Sequence, residues 1–469
     1  MKIILLVFIF TIPLVEASLI SERDVLESAL KHYPAIVQAM EGIEVNRNDV
    51  RAAKGAFDAR FVSNQLVVPK GWYIRRNLDY MVEKPLRFAN SKIYAGYTYG
   101  ANGVYPTDLS LTSTNNGGTP RIGGSLSLIR NFSTDRSRTT LKQTRLSFEQ
   151  SKNDFHFTEL QVKKNAMIQY WAWIASIRNF KVFNDLLRMA EDRDEVLGRR
   201  VKAGDISQVI VTENRQYVAR RRAELAGAEL FLKQSTYDLS LYLRDPNGEV
   251  ASLNVPDAGR EDVEEVSTTY ISELLNRVDS EITAPALHSE VFAKRPDVLS
   301  LGREIQKLDV EINYNENNFL PQIDLDWNYH RNIGRDMPTN FAHVWTFLVR
   351  MEIPLEFNLL RGEVRASRAR KNIANSQFNF LKDTVKNEIY KNYEGIRISR
   401  KKMDNASEEM KYARELLRAE NLKFDKGGSN FFLINLREEN LAQAQSNFIS
   451  SQLDFIQAYA EYKASTASL

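Results

Sequence analysis

The stretch "VKAGDISQVIVTENR" at Val201–Arg215 has a relative, "FDKGGSNFFLINLRE", at Phe424–Glu438. Setting Gly204 on Gly427 gives an offset of 223 residues. In both, a glycine break precedes apolar residues and a polar run, and long helical segments flank it. The likeness extends outward. Before the second break, apolar residues recur in sevens at Met403, Met410, Leu417 and Phe424, with Ala406 and Ala413 between; the same offset gives Phe180, Leu187, Asp194 and Val201, with Phe183 and Ala190. After the breaks, Leu225, Leu232 and Leu239 map onto Phe448, Phe455 and Tyr462. This spacing is a coiled-coil seam. It predicts two equivalent long helix hairpins. Glycine adopts the positive φ such turns require. Gly204 with Asp205, and Gly427 with Gly428 and Ser429, are expected to close the turns and cap the returning helices.

The repeat continues upstream. "LSLIRNF" at Leu126–Phe132 matches "MEIPLEF" at Met351–Phe357, and "ALKHYPAI" at Ala29–Ile36 resembles "VFAKRPDV" at Val291–Val298, with Pro34 on Pro296. These offsets are 225 and 262, so the first copy holds about 37 extra residues between them. Each copy offers one unbroken helix (138–200 and 362–424) and two shorter ones whose lengths nearly sum to it (34–56 with 206–243, and 296–318 with 429–465). An unbroken rod of that size is ~90 Å long at 1.5 Å rise per residue. The expected organisation is a leader at 1–17, a first repeat at 18–243 (helices 22–56 and 138–243, strands within 57–130), a linker at 244–290, and a second repeat at 291–469 (helices 296–318 and 362–465, strands within 320–354). The linker is mixed and polar, with one weak helix at Tyr270–Val278, and is read as a peripheral band.

The segments between helices alternate with period 2. In "QIDLDWNYH", Ile323, Leu325, Trp327 and Tyr329 share one face, and Asp324, Asp326, Asn328 and His330 the other. In "HVWTFLVRMEI", Trp345, Phe347, Val349, Met351 and Ile353 oppose Arg350 and Glu352. The loop "RNIGRDMPTN" makes these a β-hairpin. An apolar, aromatic face backed by a charged one fits a barrel strand between lipid and water; half of a soluble sandwich is the other reading. The first copy has matching outer strands at Phe61–Val68 and Gly124–Arg130, with an added hairpin at Asn77–Leu86 and Lys92–Gly100 whose place in the barrel is open. Four clear strands, with six the upper count, fall short of the eight that close a membrane barrel. Open edges in lipid are costly, so copies of the chain must join; three give twelve strands from the four clear ones.

Composition bounds the rest. The chain has 469 residues, 63 basic against 60 acidic, for a net charge of +3, and no cysteine. Near-balanced charge gives no nucleic-acid signal, and Arg220–Arg222 reads as a solvated helix face. Without cysteine there are no disulfides, thiolate metal sites or lipid-bearing cysteine. Lys2, the apolar run Ile3–Val15 and the small Ala17 form a secretory leader with a V-x-A cleavage pattern at Val15–Ala17. That run is too short to span a bilayer, which takes ~20 residues, and no other stretch reaches that length. A membrane location therefore requires a barrel.

The paired "VKAGDISQVIVTENR" and "FDKGGSNFFLINLRE", with "AKRPDV", "FLPQIDL" and "MEIPLEFNLLRGEVRASRAR", together resemble the outer-membrane efflux proteins, the TolC family. The resemblance covers nearly the whole mature chain. It implies a mainly helical fold with a β part: a homotrimer whose coiled-coil helices form a tunnel through the periplasm and whose strands form one twelve-stranded barrel in the outer membrane of a Gram-negative bacterium. It implies a passive exit duct for efflux or type I secretion, working with a periplasmic adaptor and an inner-membrane transporter, without a cofactor. It places the adaptor contact at the hairpin tips, Val201, Lys202, Ala203, Gly204, Asp205, Ile206 and Ser207, and Phe424, Asp425, Lys426, Gly427, Gly428, Ser429 and Asn430. The constriction follows the second tip. Some members carry aspartates six and nine positions after the tip glycine; here those positions are Leu433 and Leu436, so no acidic ring is expected. Phe432, Leu433 and Leu436 could instead form an apolar iris that gates by packing and dewetting, or belong to the coiled-coil seam. Charged candidates for links near the tip are Arg199, Arg200, Lys202, Asp425, Arg437 and Glu438.

No catalytic constellation emerges. His32, His156, His288, His330 and His343 are scattered without metal-ligand spacing, and neither a P-loop nor G-x-S-x-G is present. "NGGTPRIGG" enters a strand and reads as a hairpin loop. Trp171 and Trp173 on the long helix read as packing residues. The alternative to a membrane duct is a soluble secreted coiled-coil scaffold or adaptor, whose strands would form a closed sandwich.

Overall fold

The computed structural model describes residues 20–70, 75–101, 118–245, 247–251, 262–282, 289–331, 333 and 343–469. The expected leader at 1–17, much of the linker and most of three strand-connecting segments (71–74, 102–117 and 332–342) lie outside them. The elements run α1 (Glu22–His32), α2 (Pro34–Gly55), β1 (Arg60–Val68), β2 (Arg75–Pro85), β3 (Lys92–Ala101), β4 (Thr119–Ser127), α3 (Arg136–Lys202), α4 (Gln208–Ser240), α5 (Asp262–Glu281), α6 (Ser289–Lys294), α7 (Pro296–Asn317), β5 (Gln322–Arg331), β6 (His343–Glu352), α8 (Asn358–Asp425) and α9 (Phe431–Ser465). They form two compact units that cut across the sequence repeats. One comprises the described parts of 1–38, 156–295 and 383–469; the other comprises those of 39–155 and 296–382. Each unit mixes both repeats because the seam of one repeat packs on helices of the other.

The second unit holds a six-stranded antiparallel sheet in the order β1-β2-β3-β4-β5-β6. The added hairpin is part of it, as β2 and β3. Register assigns every residue a face, since residues paired across strands point the same way. One face carries Phe61 and Val67, Leu78, Tyr80 and Val82, Ile93, Ala95 and Tyr97, Ile122 and Leu126, Ile323 to Tyr329 at alternate positions, and Trp345 to Met351 at alternate positions. The other carries Arg60, Asp79, Glu83, Thr98, Arg121, Ser127, Asp324, Asp326 and Arg350. Among the described residues nothing covers the apolar face: Phe61 is 68% exposed and Phe347 66%. On the polar face Arg121 reaches Asp79 at 2.7 Å, Thr98 donates to the same carboxylate at 2.9 Å, and Ser127 donates to Asp324 at 2.7 Å.

β4 begins five residues earlier than the expected Gly124 and ends at Ser127 rather than Arg130. Glycines weaken a strand unless something fills their place. Here a Cβ on Gly123 would strike the Tyr94 ring at 2.5 Å, and one on Gly124 would strike the Trp327 indole at 3.0 Å. Aromatic rings thus cover the two glycines, one on each face. Below the sheet α7 is pinned to the long helices: Lys307 donates to Gln150 at 3.0 Å, and Asn315 to Ser367 at 2.9 Å.

The first unit is helical. Ser21 caps α1 in a capping box with Asp24, and α1 ends at Tyr33, which is extended because Pro34 follows. The expected single helix over 22–56 is therefore two. The core centres on Tyr170, Trp171, Trp173, Ile174 and Ile177 of α3, Leu232 and Leu239 of α4, and Phe455 and Ile456 of α9. Both tryptophans do more than pack: Trp171 donates to Glu22 and Trp173 to Thr236, each at 3.1 Å. The linker helix is longer than expected, 20 residues rather than a short piece at Tyr270–Val278. Its buried stripe Val263, Ser267, Ile271, Leu274 and Val278 contains a serine that hides the period. Arg178 fastens it, donating to Glu264 at 2.8 and 2.9 Å, to Ser267 at 2.9 Å and to Gln452 of α9 at 2.6 Å.

Burial raises the Glu22 carboxyl above the usual carboxylate range, against the lowering effects of the Trp171 hydrogen bond and Arg277. A raised folded-state value means the folded chain holds the proton more firmly than the unfolded chain. The resulting stability is present at low pH and is lost as pH rises through the folded value. Gln in its place keeps the acceptor for Trp171 and removes the charge. Glu22→Gln should therefore raise the thermal midpoint more at pH 8 than at pH 4; a pH-independent difference would contradict this origin.

Candidate functional site: the helix-hairpin tips

The two tips close with the same pair of backbone hydrogen bonds. Gly204 has φ 81° and Gly427 φ 75°, the left-handed region. Gly204 N–H donates to Val201 O and Gly427 N–H to Phe424 O, both at 2.9 Å. Asp205 N–H donates to Arg200 O at 2.9 Å, and Gly428 N–H to Lys423 O at 2.8 Å. These are the paired bonds of a Schellman C-terminus, which satisfy the last helix carbonyls. Each donor and acceptor of the second tip lies 223 residues beyond its counterpart. The caps of the returning helices differ from expectation. They are Ser207, whose hydroxyl accepts from Val209 N–H at 3.4 Å, and Asn430, whose side chain accepts from Leu433 N–H at 3.0 Å. Asp205 and Ser429 do not cap: the residues immediately before the first helical residues Gln208 and Phe431 are Ser207 and Asn430, and these take the N-cap position. Ser429 instead donates to the buried Glu420 of α8.

Two turns above the second tip lies a buried charge cluster. Glu438 of α9 accepts from Arg193 of α3 and, at 3.0 Å, from Arg221 of α4. Arg193 also donates to Asn435, and Arg221 to the Leu186 carbonyl at 3.0 Å. Asn214 joins α4 to α3 through the Ala190 carbonyl at 3.1 Å and Asp194 at 3.2 Å. Arg221 is 2% exposed and Glu438 5%. Burial lowers the Arg221 proton affinity, Glu438 opposes that, and Arg193 adds to it; guanidinium nonetheless stays charged at any physiological pH. One carboxylate therefore holds two arginines and ties three helices together.

Of the expected link residues, only Glu438 sits in such a network. Arg199, Arg200, Lys202 and Asp425 are exposed, and none makes an ion pair among the described residues. Arg437 approaches Glu420 only to 3.9 Å. Arg193 and Arg221 stand outside the expected link residues, and the buried Arg221 corrects the expectation of a solvated face at Arg220–Arg222. Arg220 and Arg222 are exposed and pair with Glu439 and Glu191, while Arg221 points inward. The signal lay in the seam: Val218, Arg221 and Leu225 are spaced three and four apart, and the counterpart of Arg221 in the second repeat is the buried Ala444. The apolar trio near the second tip is divided. Phe432 and Leu436 are exposed along α9 and Leu433 half-buried, whereas the seam is made by Ile434, Asn435, Glu438 and Ala442. At the tip base the Phe424 and Phe431 rings pack 4.5 Å apart.

A family model described as outer membrane efflux protein matches residues 287–469, the second repeat with the end of the linker. The resemblance to the outer-membrane efflux proteins stands. Solved structures extend the fold likeness to the first repeat. The CmeC outer membrane channel of Campylobacter jejuni aligns with a TM-score of 0.66 at 13% identity, covering 95% of this chain and 85% of that one. The outer membrane protein VceC of Vibrio cholerae gives 0.65 at 14%, covering 95% of each chain. The MtrE outer membrane channel of Neisseria gonorrhoeae, in its open state, gives 0.64 at 13%, covering 95% and 88%. No curated protein matches by sequence. The efflux-protein fold is thus a tunnel-and-barrel fold shared at low identity, and the family is one of channels rather than enzymes.

Glu438→Gln leaves two buried guanidiniums without a full counter-charge, which costs about 3–5 kcal/mol when a buried pair loses one partner. The guanidinium midpoint followed through Trp171 and Trp173 fluorescence should fall accordingly. Adding Arg221→Met should restore part of the loss; a double variant weaker than Glu438→Gln alone would refute a charge origin. Alanine at Gly427 meets open space but a positive φ, so Gly427→Ala should cost about 1 kcal/mol by the same assay.

Proposed function

We propose that this protein is the outer-membrane exit duct of a tripartite efflux or type I secretion system in a Gram-negative bacterium, formed by three copies. The observation that carries this reading is the sheet whose one face presents large apolar side chains from every strand, uncovered among the described residues, while the other bears a charged residue from every strand, though β1 also turns Val62, Leu66 and Val68 to that side. A soluble sandwich would have to cover Phe61, Trp345, Phe347 and Val349; lipid covers them without further protein. The match of the second repeat and the fold of the channel proteins support the same conclusion. The chain acts as a conduit. Opening is driven by an adaptor and an inner-membrane transporter meeting the tips at Val201–Ser207 and Phe424–Asn430. Phe432, Leu433 and Leu436 narrow the entrance, since Phe432 and Leu436 are free of the seam. The Glu438 cluster makes α3, α4 and α9 move as one body, so opening swings hairpins rather than splitting them.

Membrane fractionation with unheated gel electrophoresis tests the reading: an outer-membrane species at three chain masses is expected, and a soluble monomer refutes it. The lipid face has its own test at neighbouring positions of β6. Phe347→Arg places a charge in hydrocarbon, which costs about 2–4 kcal/mol near the bilayer midplane, and should deplete the outer-membrane form. Thr346→Arg, on the opposite face, should not. Equal loss from both would overturn the assignment of faces.

A further inference from the structure

The sheet has six strands, and the extra two are integral to it. β1 and β5 start 262 residues apart and β4 and β6 end 225 apart, so β2 and β3 are the insertion. Their side chains keep the sidedness of the flanking strands, with Leu78, Tyr80, Val82, Ile93 and Tyr97 on the apolar face and Asp79, Glu83 and Thr98 on the polar one. Arg121 of β4 reaches across β3 to Asp79 of β2, and Tyr94 of β3 fills the space over Gly123 of β4. A hairpin lying outside the barrel would need none of these cross-strand ties.

We propose that three copies close edge to edge, β6 of one on β1 of the next, into a barrel of eighteen strands rather than twelve. This rests on the proposed function and specifies its pore. Six strands are too few to close alone, since membrane barrels start at eight. The edge strands are the free surfaces: β1 has nine residues and β6 ten, and both place large apolar side chains on the same face. An even number of antiparallel strands leaves β6 running opposite to β1, so each junction continues the antiparallel ladder. In hydrocarbon the unpaired edge groups have no other partner than strand backbone, and the matching edge is that of a second copy. At ~4.8 Å between strands, eighteen make a circumference of about 86 Å against about 58 Å for twelve. Barrel diameter grows roughly linearly with strand number, so the outer-membrane segment is about half as wide again. Its inward face offers Arg60, Asp79, Glu83, Arg121, Asp324 and Arg350, charges of both signs, which suits cargo of mixed polarity.

The absence of cysteine allows a direct test with engineered thiols. Gln65 faces Leu78 across β1 and β2, and Ala95 faces Ile122 across β3 and β4. If the hairpin were expelled, β1 would pair with β4. By the register of β5 on β6, where Trp327 faces Phe347, Gln65 would then face Ile122. Oxidising outer-membrane protein should link Gln65→Cys to Leu78→Cys and Ala95→Cys to Ile122→Cys within one chain. Linkage of Gln65→Cys to Ile122→Cys overturns the proposal. Ring size is read by pairing Ser63→Cys in turn with Trp345→Cys, Phe347→Cys or Val349→Cys. A non-reducing ladder ending at three chain masses, together with the β1–β2 and β3–β4 links within one chain, supports eighteen strands; one ending at two, or no ladder for any pair, overturns it. Fractionation of the same samples separates the two readings. Protein absent from the outer membrane fails the duct itself, whereas a three-copy outer-membrane species with β1 linked to β4 fails the strand count alone.

Discussion

Backbone amides and carbonyls in hydrocarbon have no water to bond to, and a strand at the edge of a sheet exposes a row of them. That constraint governs how this chain is built. A six-stranded sheet with one apolar and one charged face is a fragment of a wall, stable in a bilayer only when its outer strands find other strands. The helical unit faces a related problem in water. Its helices are long and only half-buried along much of their length, so their pairing depends on a few enclosed contacts: the aromatic core around Trp173 and the Glu438 cluster.

The cluster is a costly way to join helices. Replacing buried ion pairs with apolar residues of similar volume is often neutral or stabilising, and the second repeat does hold Ala444 where the first holds Arg221. What charge supplies is geometry. A planar guanidinium bonded at once to Glu438 and to the Leu186 carbonyl permits one rotation of α4 against α3 and α9. Leucines in a seam would tolerate several. Near a hairpin end, where few layers remain to set the helix register, such directional contacts specify what packing leaves loose.

Much of this was legible in the sequence because two periodicities are hard to mistake. Period 2 in Ile323–Tyr329 and Trp345–Ile353 located β5 and β6 to within two residues. The glycine-broken heptads located both tips, and the repeat offset survives in the hydrogen bonds themselves. What escaped notice obeyed tertiary rather than local rules. β4 contains Gly123 and Gly124, which read as a break until Tyr94 and Trp327 are seen covering them. α5 hides its stripe behind Ser267. Arg221 sat between two arginines that do face water, and only its seam position betrayed it. The caps moved from Asp205 and Ser429 to Ser207 and Asn430 because the turns run two residues further in the first hairpin and one in the second before the helix begins. The candidate site was thus readable as a place, and less readable as a set of contacts.

The insertion in the first repeat is a hairpin, and a hairpin adds strands in twos. One added strand would have left both edges of the sheet running the same way, so that successive copies could meet only in a parallel ladder, with its slanted bonds and different register. Two added strands leave the direction of each edge untouched. Pore width in such an assembly is therefore a property that a single duplication or acquisition can change, in steps of six strands per ring of three, without any alteration to the residues through which copies recognise one another.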